Sequence, residues 1–255
     1  MLGVIIPFHS RRQALDEAIA SVGSRPIVVV DDSPSGGLVC PGVEIVRTSG
    51  EEGFAAAVNA GLEKLQSMGH ELALLLNDDA CLRDGALKAL ELSWCDGDGA
   101  ISPVLHEPSG PIYGISVSSW GRVRLMSQPG VAQALSGAAL MLRSTERFDS
   151  AFRHGFEDIE LCQRLTERGL ALRVIDQAHC DHAAGATVNR SSRQAQRGAT
   201  AGHLRLLGGG LRGSVVVGLG LAQVVIECGP ADRLLGILDG IRDHLKAPPP
   251  QPRAD

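Results

Sequence analysis

The feature that most constrains the fold is the alternation of short apolar runs with amphipathic segments in residues 1–80. Residues 2–7, the runs PIVVVDD and VEIVRT, and Leu72–Leu76 are typical of short buried strands. Segments around Leu15 and from Phe54 onward carry apolar residues at helical spacing. Such alternation predicts an α/β fold with a mostly parallel sheet sandwiched by helices.

Acidic residues stand where two of these buried strands end. Asp31 and Asp32 follow the second strand, and Asn77, Asp78 and Asp79 follow the fourth. Burying an unpaired carboxylate costs on the order of several kcal/mol, so a counter-charge, a metal ion or a solvent-filled cleft should receive these groups. Because ligands of parallel sheets bind at the carboxyl ends of strands, both acidic pairs are expected to approach one another there.

The second half of the chain is less regular. We expect short β-like pieces in residues 99–126, a buried strand in SGAALMLRS, a helix within FDSAFRHGFEDIELCQRLTERG, a strand in LALRVID and a loop in AHCDHAAGATV. The predicted organisation is one catalytic domain over residues 1–189, a helical C-terminal extension packed on it over residues 190–246, and a disordered Pro-rich tail over residues 247–255.

Composition limits the binding partners and the cellular compartment that we expect for this protein. The formal net charge of -5 gives no general electrostatic reason to expect nucleic acid. Six cysteines without a CxxC pair fit a reducing compartment. The N-terminal apolar run precedes its arginines, the reverse of a signal peptide, and residues 215–226 are too short for a spanning helix of about 20 residues. We therefore expect a cytoplasmic protein with at most peripheral contact with the inner face of the membrane. The sequence is compatible with a homo-oligomer.

Oxygen-rich clusters with an imidazole suggest a hard divalent cation. Besides the two acidic pairs, Glu157 with Asp158 and a group of His179, Asp181 and His182 interrupt the apolar framework. Carboxylate ligands suit Mg²⁺ or Mn²⁺, and a diphosphate would complete the coordination. Zinc is the weaker alternative, because no second Cys or His pair lies at zinc-site spacing.

Seven segments, in this order, resemble a known family. They are VIIPFHSR, PIVVVDDSPSGG, GFAAAVNAGL, LALLLNDDA, GAALMLRS, FDSAFRHGFEDIELCQRL and HAAGATV, and they cover roughly residues 2–188. Together they are similar to the family 2 glycosyltransferases with a GT-A (Rossmann-like) fold, particularly the rhamnosyltransferase-like branch.

The resemblance implies a role for individual residues. It implies Asp158 as the general base, with Glu157 beside it as the second catalytic residue, and Asp79 and His182 as ligands of Mg²⁺ or Mn²⁺. The donor nucleotide-binding residues implied by the matched segments are Pro7, Asp31, Asp32, Asn59 and Asp78. Arg190 and Arg193 follow the histidine cluster and are candidates for contacts with phosphate or acceptor.

The implied reaction moves a sugar from a nucleotide-diphosphate sugar to an acceptor hydroxyl with inversion, assisted by a divalent metal. The acceptor would be a small molecule, a glycan or a lipid-linked sugar. Two alternatives are an inactive nucleotide-sugar-binding protein of the same fold and a nucleotidyltransferase, although PFHSRRQ lacks the glycine-rich phosphate loop of the latter. Asn77 replaces the first Asp of the usual Asp-X-Asp, and Glu51 and Glu52 stand where relatives usually carry Asn before the Gly.

Each candidate also has a structural interpretation. Asp78 and Asp79 could cap a helix beginning near Asp84, and Asp31 and Asp32 could form an Asx turn. Glu157 and Asp158 could simply favour a helix dipole. His182 could be an ordinary loop histidine, and the arginines after it a solvated helix face.

Overall fold

The computed structural model describes residues 1–50, 53–118, 122–152, 155–183, 193–207, 215, 218 and 231–246. The strands are β1 (Leu2–Phe8), β2 (Ile27–Asp31), β3 (Glu44–Arg47), β4 (Leu72–Leu76), β5 (Ala80–Leu82), β6 (Asp98–Glu107), β7 (Gly110–Ile112), β8 (Ile115–Val117), β9 (Val123–Leu125), β10 (Ala139–Arg143) and β11 (Ala171–His182). The helices are α1 (Arg12–Ser21), α2 (Phe54–Ser67), α3 (Ala86–Ser93), α4 (Glu157–Glu167), α5 (Arg193–Leu206) and α6 (Ala231–Lys246).

A single large sheet organises these elements, in the order β3-β2-β1-β4-β10-β6-β11-β5, with β7 paired to β6. From β3 to β4 every pairing is parallel, as the alternating pattern predicts. The sheet is mixed beyond β4, because β10 runs antiparallel to both β4 and β6. β8 and β9 form a separate hairpin.

Helices cover both faces of the sheet. Val4 and Ile6 of β1 point into a core shared with α1 and α3, whereas Ile5 points into a second core shared with α2 and α4. Successive side chains of a strand face opposite sides, so a strand buried on both faces must be apolar throughout. Gly61 lets α2 approach β1 closely, since a Cβ there would lie 2.5 Å from Cγ2 of Ile5.

One predicted loop is a strand. The sequence suggests that the chain leaves the sheet after LALRVID, yet β11 continues through His182. Its register with β6 shifts between Ile175, which pairs with Pro103, and His179, which pairs with Val104. Proline has no backbone N–H to donate to a neighbouring strand, and a bulge accommodates that loss. The bulge interrupts the alternation of side chains between the two faces, which is the sequence signal for a continuous strand.

The two C-terminal helices pair with each other through ion pairs. Arg193 of α5 donates to Asp239 of α6 at 2.7 Å, and one turn later Arg197 Nη2 donates to Asp243 at 2.8 Å. Both helices lie in the predicted extension, but its boundary at residues 189–190 and the tail over residues 247–255 fall outside the described residues. In the ranges given above, no helix combines the length and the apolar character needed to cross a membrane.

Candidate active site

The ends of five strands meet at one edge of the sheet. β4 and β6 both run antiparallel to β10, and β11 runs parallel to β6, so the carboxyl ends of β4, β6 and β11 share that edge with those of β1 and β2. The chain passes from β3 back to β4 on the other side of β1, which reverses the strand order beside β1. Such a reversal is where open α/β sheets bind ligands.

Asp78 and Asp79 follow β4 and do not cap a helix. β5 comes directly after them, and α3 begins only at Ala86, preceded by Gly85. The His9 backbone N–H donates to the Asp78 carboxylate. Among the described residues, Asp78 Oδ2 and Asn77 Oδ1 are buried without a hydrogen-bond partner. Burial, followed by the charge of Asp79, raises the pKa of Asp78 to about 6.

Asp79 differs from its neighbour because two basic side chains approach it. Nε2 of His182 lies 3.4 Å from its Oδ1, and Nη1 of Arg11 lies 3.9 Å from its Oδ2. Burial acts to raise the pKa of Asp79, but the hydrogen bond from His182 and the charges of His182 and Arg11 outweigh it and lower that pKa. Asp79 is therefore the anionic member of the pair.

His182 lies between two acidic side chains. Its Nδ1 is 3.2 Å from Oε1 of Glu107, the last residue of β6, while its Nε2 faces Asp79. Burial acts to lower the pKa of His182, whereas hydrogen bonding and charge from Asp79 and then Glu107 raise it above the ordinary value. His182 is thus a strand-end residue held on both ring nitrogens, which the sequence did not indicate.

The Asp31 carboxylate stabilises the loop that follows β2. Its carboxylate accepts hydrogen bonds from Ser33 N at 3.1 Å, Ser33 Oγ at 2.6 Å and Leu38 N at 3.2 Å, and Arg47 Nη1 lies 2.9 Å away. Burial alone would raise the pKa of Asp31, but these bonds and the Arg47 charge lower it. The expected Asx turn is present, and the buried carboxylate fixes the chain next to the predicted base-binding position.

His9 connects the two acidic pairs. Its ring Nδ1 lies 3.1 Å from the backbone oxygen of Asp32, while its backbone N–H donates to the Asp78 carboxylate. The Asp32 carboxylate accepts a hydrogen bond from the Thr48 hydroxyl. Pro7 sits one residue before the end of β1, in register with Val30. The loop after β1 therefore holds the carboxyl ends of β2 and β4 together.

Asn59 uses its side chain for packing between elements. Its Nδ2 donates to Phe148 O at 2.8 Å, and its Oδ1 accepts from Phe148 N at 2.8 Å. Both ends of the amide thus join α2 to the segment before α4. A donor contact by Asn59 stays a prediction, and it would compete with these two bonds.

Glu157 and Asp158 open α4, where burial dominates their chemistry. Asp158 accepts hydrogen bonds from Gly137 N at 3.0 Å and Ile159 N at 2.8 Å. Burial, followed by the charge of Asp158, raises the pKa of Glu157 to about 8, and burial also raises the pKa of Asp158. A favourable helix dipole would lower both values, so the dipole interpretation alone does not describe this pair.

Residues 136–138 contact both the Asp158 carboxylate and the backbone that precedes Asp78 and Asp79. Gly137 N donates to Asp158, and the oxygen of the next residue, Ala138, accepts the Asn77 N–H at 2.9 Å. The two segments are consequently fixed to one short stretch just before β10. β10 pairs antiparallel with β4, and this brings its first residues to the edge where β4 ends.

Helix α5 contacts the start of α4. Phe156, which precedes Glu157, has a φ of 73° in the left-handed region, and its ring lies 4.6 Å from that of His203 in α5. A Cβ at Gly202 would lie 2.7 Å from Gly155 O, so only glycine fits there. The positive φ of Phe156 is a strained backbone conformation, which persists only where surrounding contacts hold it in place.

The remaining predicted positions are not among the site contacts described above. Arg190 falls outside the described residues, as do Glu51 and Glu52. Arg193 forms the ion pair with Asp239 through its Nε, at 2.7 Å. His9, Arg11 and Glu107 are site residues that sequence reasoning missed. The run HSR directly after β1 is a signal for the first two, because any loop at that strand end must face the ligand edge.

Asn77, Asp78, Asp79 and His182 are the possible ligands of a divalent cation at this strand end. In the part of the chain that the structure describes, no three His, Cys, Asp or Glu side chains are already arranged around one ion position. Nevertheless, the unpartnered buried oxygens of Asn77 and Asp78 and the adjacent Asp79 and His182 provide the oxygen and imidazole ligands that Mg²⁺ or Mn²⁺ accept. The residues present fit such an ion.

Comparison with known proteins points to glycosyltransferases. Residues 3–120 match the model of glycosyl transferase family 2. Over this segment, which is a little under half of its length, the chain is similar to the family 2 glycosyltransferases. Pre-mycofactocin glycosyltransferase from two strains of Mycobacterium tuberculosis is 27% identical over 195 residues, which cover 67% of this chain and 40% of that protein. The chain thus spans less than half the length of these relatives, and they do not identify the predicted rhamnosyltransferase-like branch.

Solved structures agree on the fold. GalNAc-T7 with UDP, GalNAc and Mn²⁺ superposes with a TM-score of 0.62 at 14% identity, covering 81% of this chain and 47% of that one. The mannosyltransferase PcManGT from Pyrobaculum calidifontis, in complex with GDP-Man and Mn²⁺, gives 0.53 at 12% identity and covers 96% and 86%. The predicted GT-A fold class is confirmed.

Proposed function

We propose that this chain is an inverting glycosyltransferase, which moves a sugar from a nucleotide-diphosphate sugar to an acceptor hydroxyl with the help of a divalent metal. One observation carries the proposal. Residues 136–138 tie the raised-pKa carboxylate Asp158 to the strand end that bears Asn77, Asp78 and Asp79. A proton acceptor and a cation-binding cluster held by one segment suit a displacement in which a hydroxyl loses a proton while a diphosphate leaves.

Asp158 is proposed as the general base. Burial makes it more basic than an ordinary aspartate, so it can accept the acceptor's proton near neutral pH. The Gly137 and Ile159 N–H groups fix the direction of its carboxylate. Glu157, which is more strongly protonated, keeps a second negative charge away from the base.

Donor binding is proposed for the opposite side of residues 136–138. The proposed nucleotide contacts are Pro7, Asp31, Asp32, Asn59 and Asp78, and the proposed phosphate or acceptor contacts are Arg190 and Arg193. Asp79 and His182 would hold Mg²⁺ or Mn²⁺. Bound there, the ion would stabilise the charge of the leaving diphosphate. Arg11, 3.9 Å from Asp79, adds a positive charge from the protein itself.

The experiment separates turnover from binding. A thermal-shift screen of nucleotide sugars with and without Mn²⁺ identifies the donor, because a ligand that binds the native state raises its apparent stability. Transfer is then measured for the wild type and for Asp158→Asn. We expect the variant to retain the donor-dependent shift and to lose about 10²- to 10⁴-fold in transfer rate, the usual contribution of a general base.

Glu160→Gln is the matched control, since Glu160 lies in the same helical turn but pairs with Arg164. Full transfer by Asp158→Asn would show that the base is misassigned. A shift with donor but no transfer by the wild type with any acceptor would favour a nucleotide-sugar-binding protein. No shift with any donor and metal would contradict the proposed function.

A further inference from the structure

Glu107 reaches His182 from the side opposite Asp79. Its Oε1 lies 3.2 Å from Nδ1 of His182, and Nε2 of the same ring lies 3.4 Å from Asp79 Oδ1. The three side chains are only 7%, 12% and 6% exposed, in the order Glu107, His182 and Asp79. A carboxylate that accepts a hydrogen bond at Nδ1 keeps a proton on that nitrogen. Nε2 donates to Asp79 in this structure, and loss of the Nε2 proton would leave its lone pair directed to the same side.

The backbone fixes this arrangement. β6 and β11 are parallel at their ends, with His106 in register with Asp181, so the next residues along each strand are Glu107 and His182. On the other side, the Ala183 N–H donates to the Asp79 backbone oxygen at 3.1 Å. His182 is thus held between the ends of β6 and β4 by main-chain geometry as well as by its ring.

We propose that Glu107 is a positioning residue for the divalent metal, which accepts the Nδ1–H of His182 and aims Nε2 at the ion. The inference rests on the metal-assisted function proposed above. Metal-ligating histidines commonly donate their second ring N–H to a carboxylate, and replacing that partner typically weakens metal affinity by about 10- to 100-fold.

Mn²⁺ affinity of the full chain, measured by electron paramagnetic resonance of free Mn²⁺, tests the proposal without any turnover. We expect Glu107→Ala to raise the Mn²⁺ dissociation constant about 10- to 100-fold. Glu107→Gln should restore much of the affinity, because its carboxamide oxygen can accept the same Nδ1–H. Glu107→Met, which fills a similar volume without an oxygen, replaces the alanine variant if that variant does not fold.

Asp181→Asn is the matched control. Asp181 precedes His182 on β11 and carries the same charge as Glu107, but it pairs with Arg83 at 2.6 and 3.0 Å. This variant should bind Mn²⁺ like the wild type. Wild-type affinity in Glu107→Ala, or equal weakening in Glu107→Gln and Glu107→Ala, would overturn the positioning role alone. A wild type that binds no Mn²⁺ would overturn the metal-assisted function as well, so the two failures are distinguishable.

Discussion

The two carboxylate pairs of the site differ in what surrounds them. Asp79 faces His182 and Arg11, and these cations lower its pKa despite burial. Asp158 receives backbone N–H groups instead, and burial leaves its pKa raised. Residues of the same type, fixed to one short segment of backbone, are therefore suited to opposite tasks. One stays anionic and can bind a cation, whereas the other is basic enough to take a proton.

The largest expected effects come from replacing one carboxylate of each pair. Asp79→Asn should abolish the Mn²⁺-dependent part of the donor-induced thermal shift and lower transfer by about 10²- to 10³-fold, as for other lost electrostatic stabilisers. Asp158→Asn should lower transfer but keep that shift. The measurement is thermal unfolding with donor, with and without Mn²⁺, for both variants.

Asp84→Asn is the control for this contrast, because Asp84 is an exposed carboxylate after β5. It should behave like the wild type in both assays. If Asp79→Asn kept the Mn²⁺-dependent shift, or if Asp158→Asn lost it, the division of tasks between the two pairs would be wrong.

The same contrast separates what the sequence could predict from what it could not. The parallel half, from β1 to β4, follows from apolar runs whose periodicity is local, and Leu72–Leu76 is found where expected. Asp79 and Asp158 could be chosen because each follows a recognisable segment. Their opposite environments could not, because Arg11, His182 and Gly137 reach them from distant parts of the chain.

Glu107 shows the limit most clearly. It ends a strand that the sequence divided into short pieces, and its partner His182 ends a strand that the sequence ended early. Pairing these two residues requires the parallel register of β6 and β11 across a bulge opposite Pro103. Register between strands so far apart depends on tertiary packing, which no local pattern encodes.

The pH dependence of the free energy of unfolding offers the next test of the comparison between the two carboxylate pairs. Burial keeps Glu157 protonated in the folded chain up to its pKa of about 8, against an ordinary value of 4.5. The unfolded chain releases that proton earlier, so the free energy of unfolding should fall as pH rises from 4.5 to about 8. Glu157→Gln has no proton to release, and its stability relative to the wild type should increase across this range by on the order of 4 kcal/mol.

Urea unfolding at several pH values measures this difference. Glu160→Gln, on the same helix, is the matched control, because it makes the same carboxylate-to-amide change at a side chain that bonds to Arg164 instead of lying buried without a partner. Its curve should be parallel to that of the wild type between pH 4.5 and about 8. Parallel curves for Glu157→Gln and the wild type would mean that the buried pair is ionised in the folded state, and the contrast with Asp79 would disappear.

A third test concerns a carboxylate whose partners all belong to the protein. Asp31→Asn should destabilise the fold by about 2 kcal/mol, since a carboxamide cannot replace the bonds from Ser33, Leu38 and Arg47 that the carboxylate accepts. The wild-type contribution should be lost as pH falls, because folding lowers the pKa of Asp31. Urea unfolding near neutral pH and in acid measures both effects.

Asp32→Asn is the matched neighbour for Asp31. Its carboxylate accepts a hydrogen bond from Thr48, which an amide oxygen can also accept, so a loss of about 0.5 kcal/mol is expected. Equal losses in the two variants would contradict the structural role of Asp31. A donor affinity unchanged in a folded Asp31→Asn would instead count against its predicted contact with the nucleotide.

The smallest expected effect belongs to the arginines of α5, which lie beyond both carboxylate pairs. Arg193 is half exposed and already paired with Asp239, so Arg193→Ala should change stability by less than about 1 kcal/mol. If it also contacts the donor phosphate, donor affinity should fall in this variant and not in Arg197→Ala, whose arginine pairs with Asp243 in the same way. Calorimetric titration of the donor measures the difference. Equal donor affinity in the two variants would confine the positive charge near the diphosphate to groups such as Arg11.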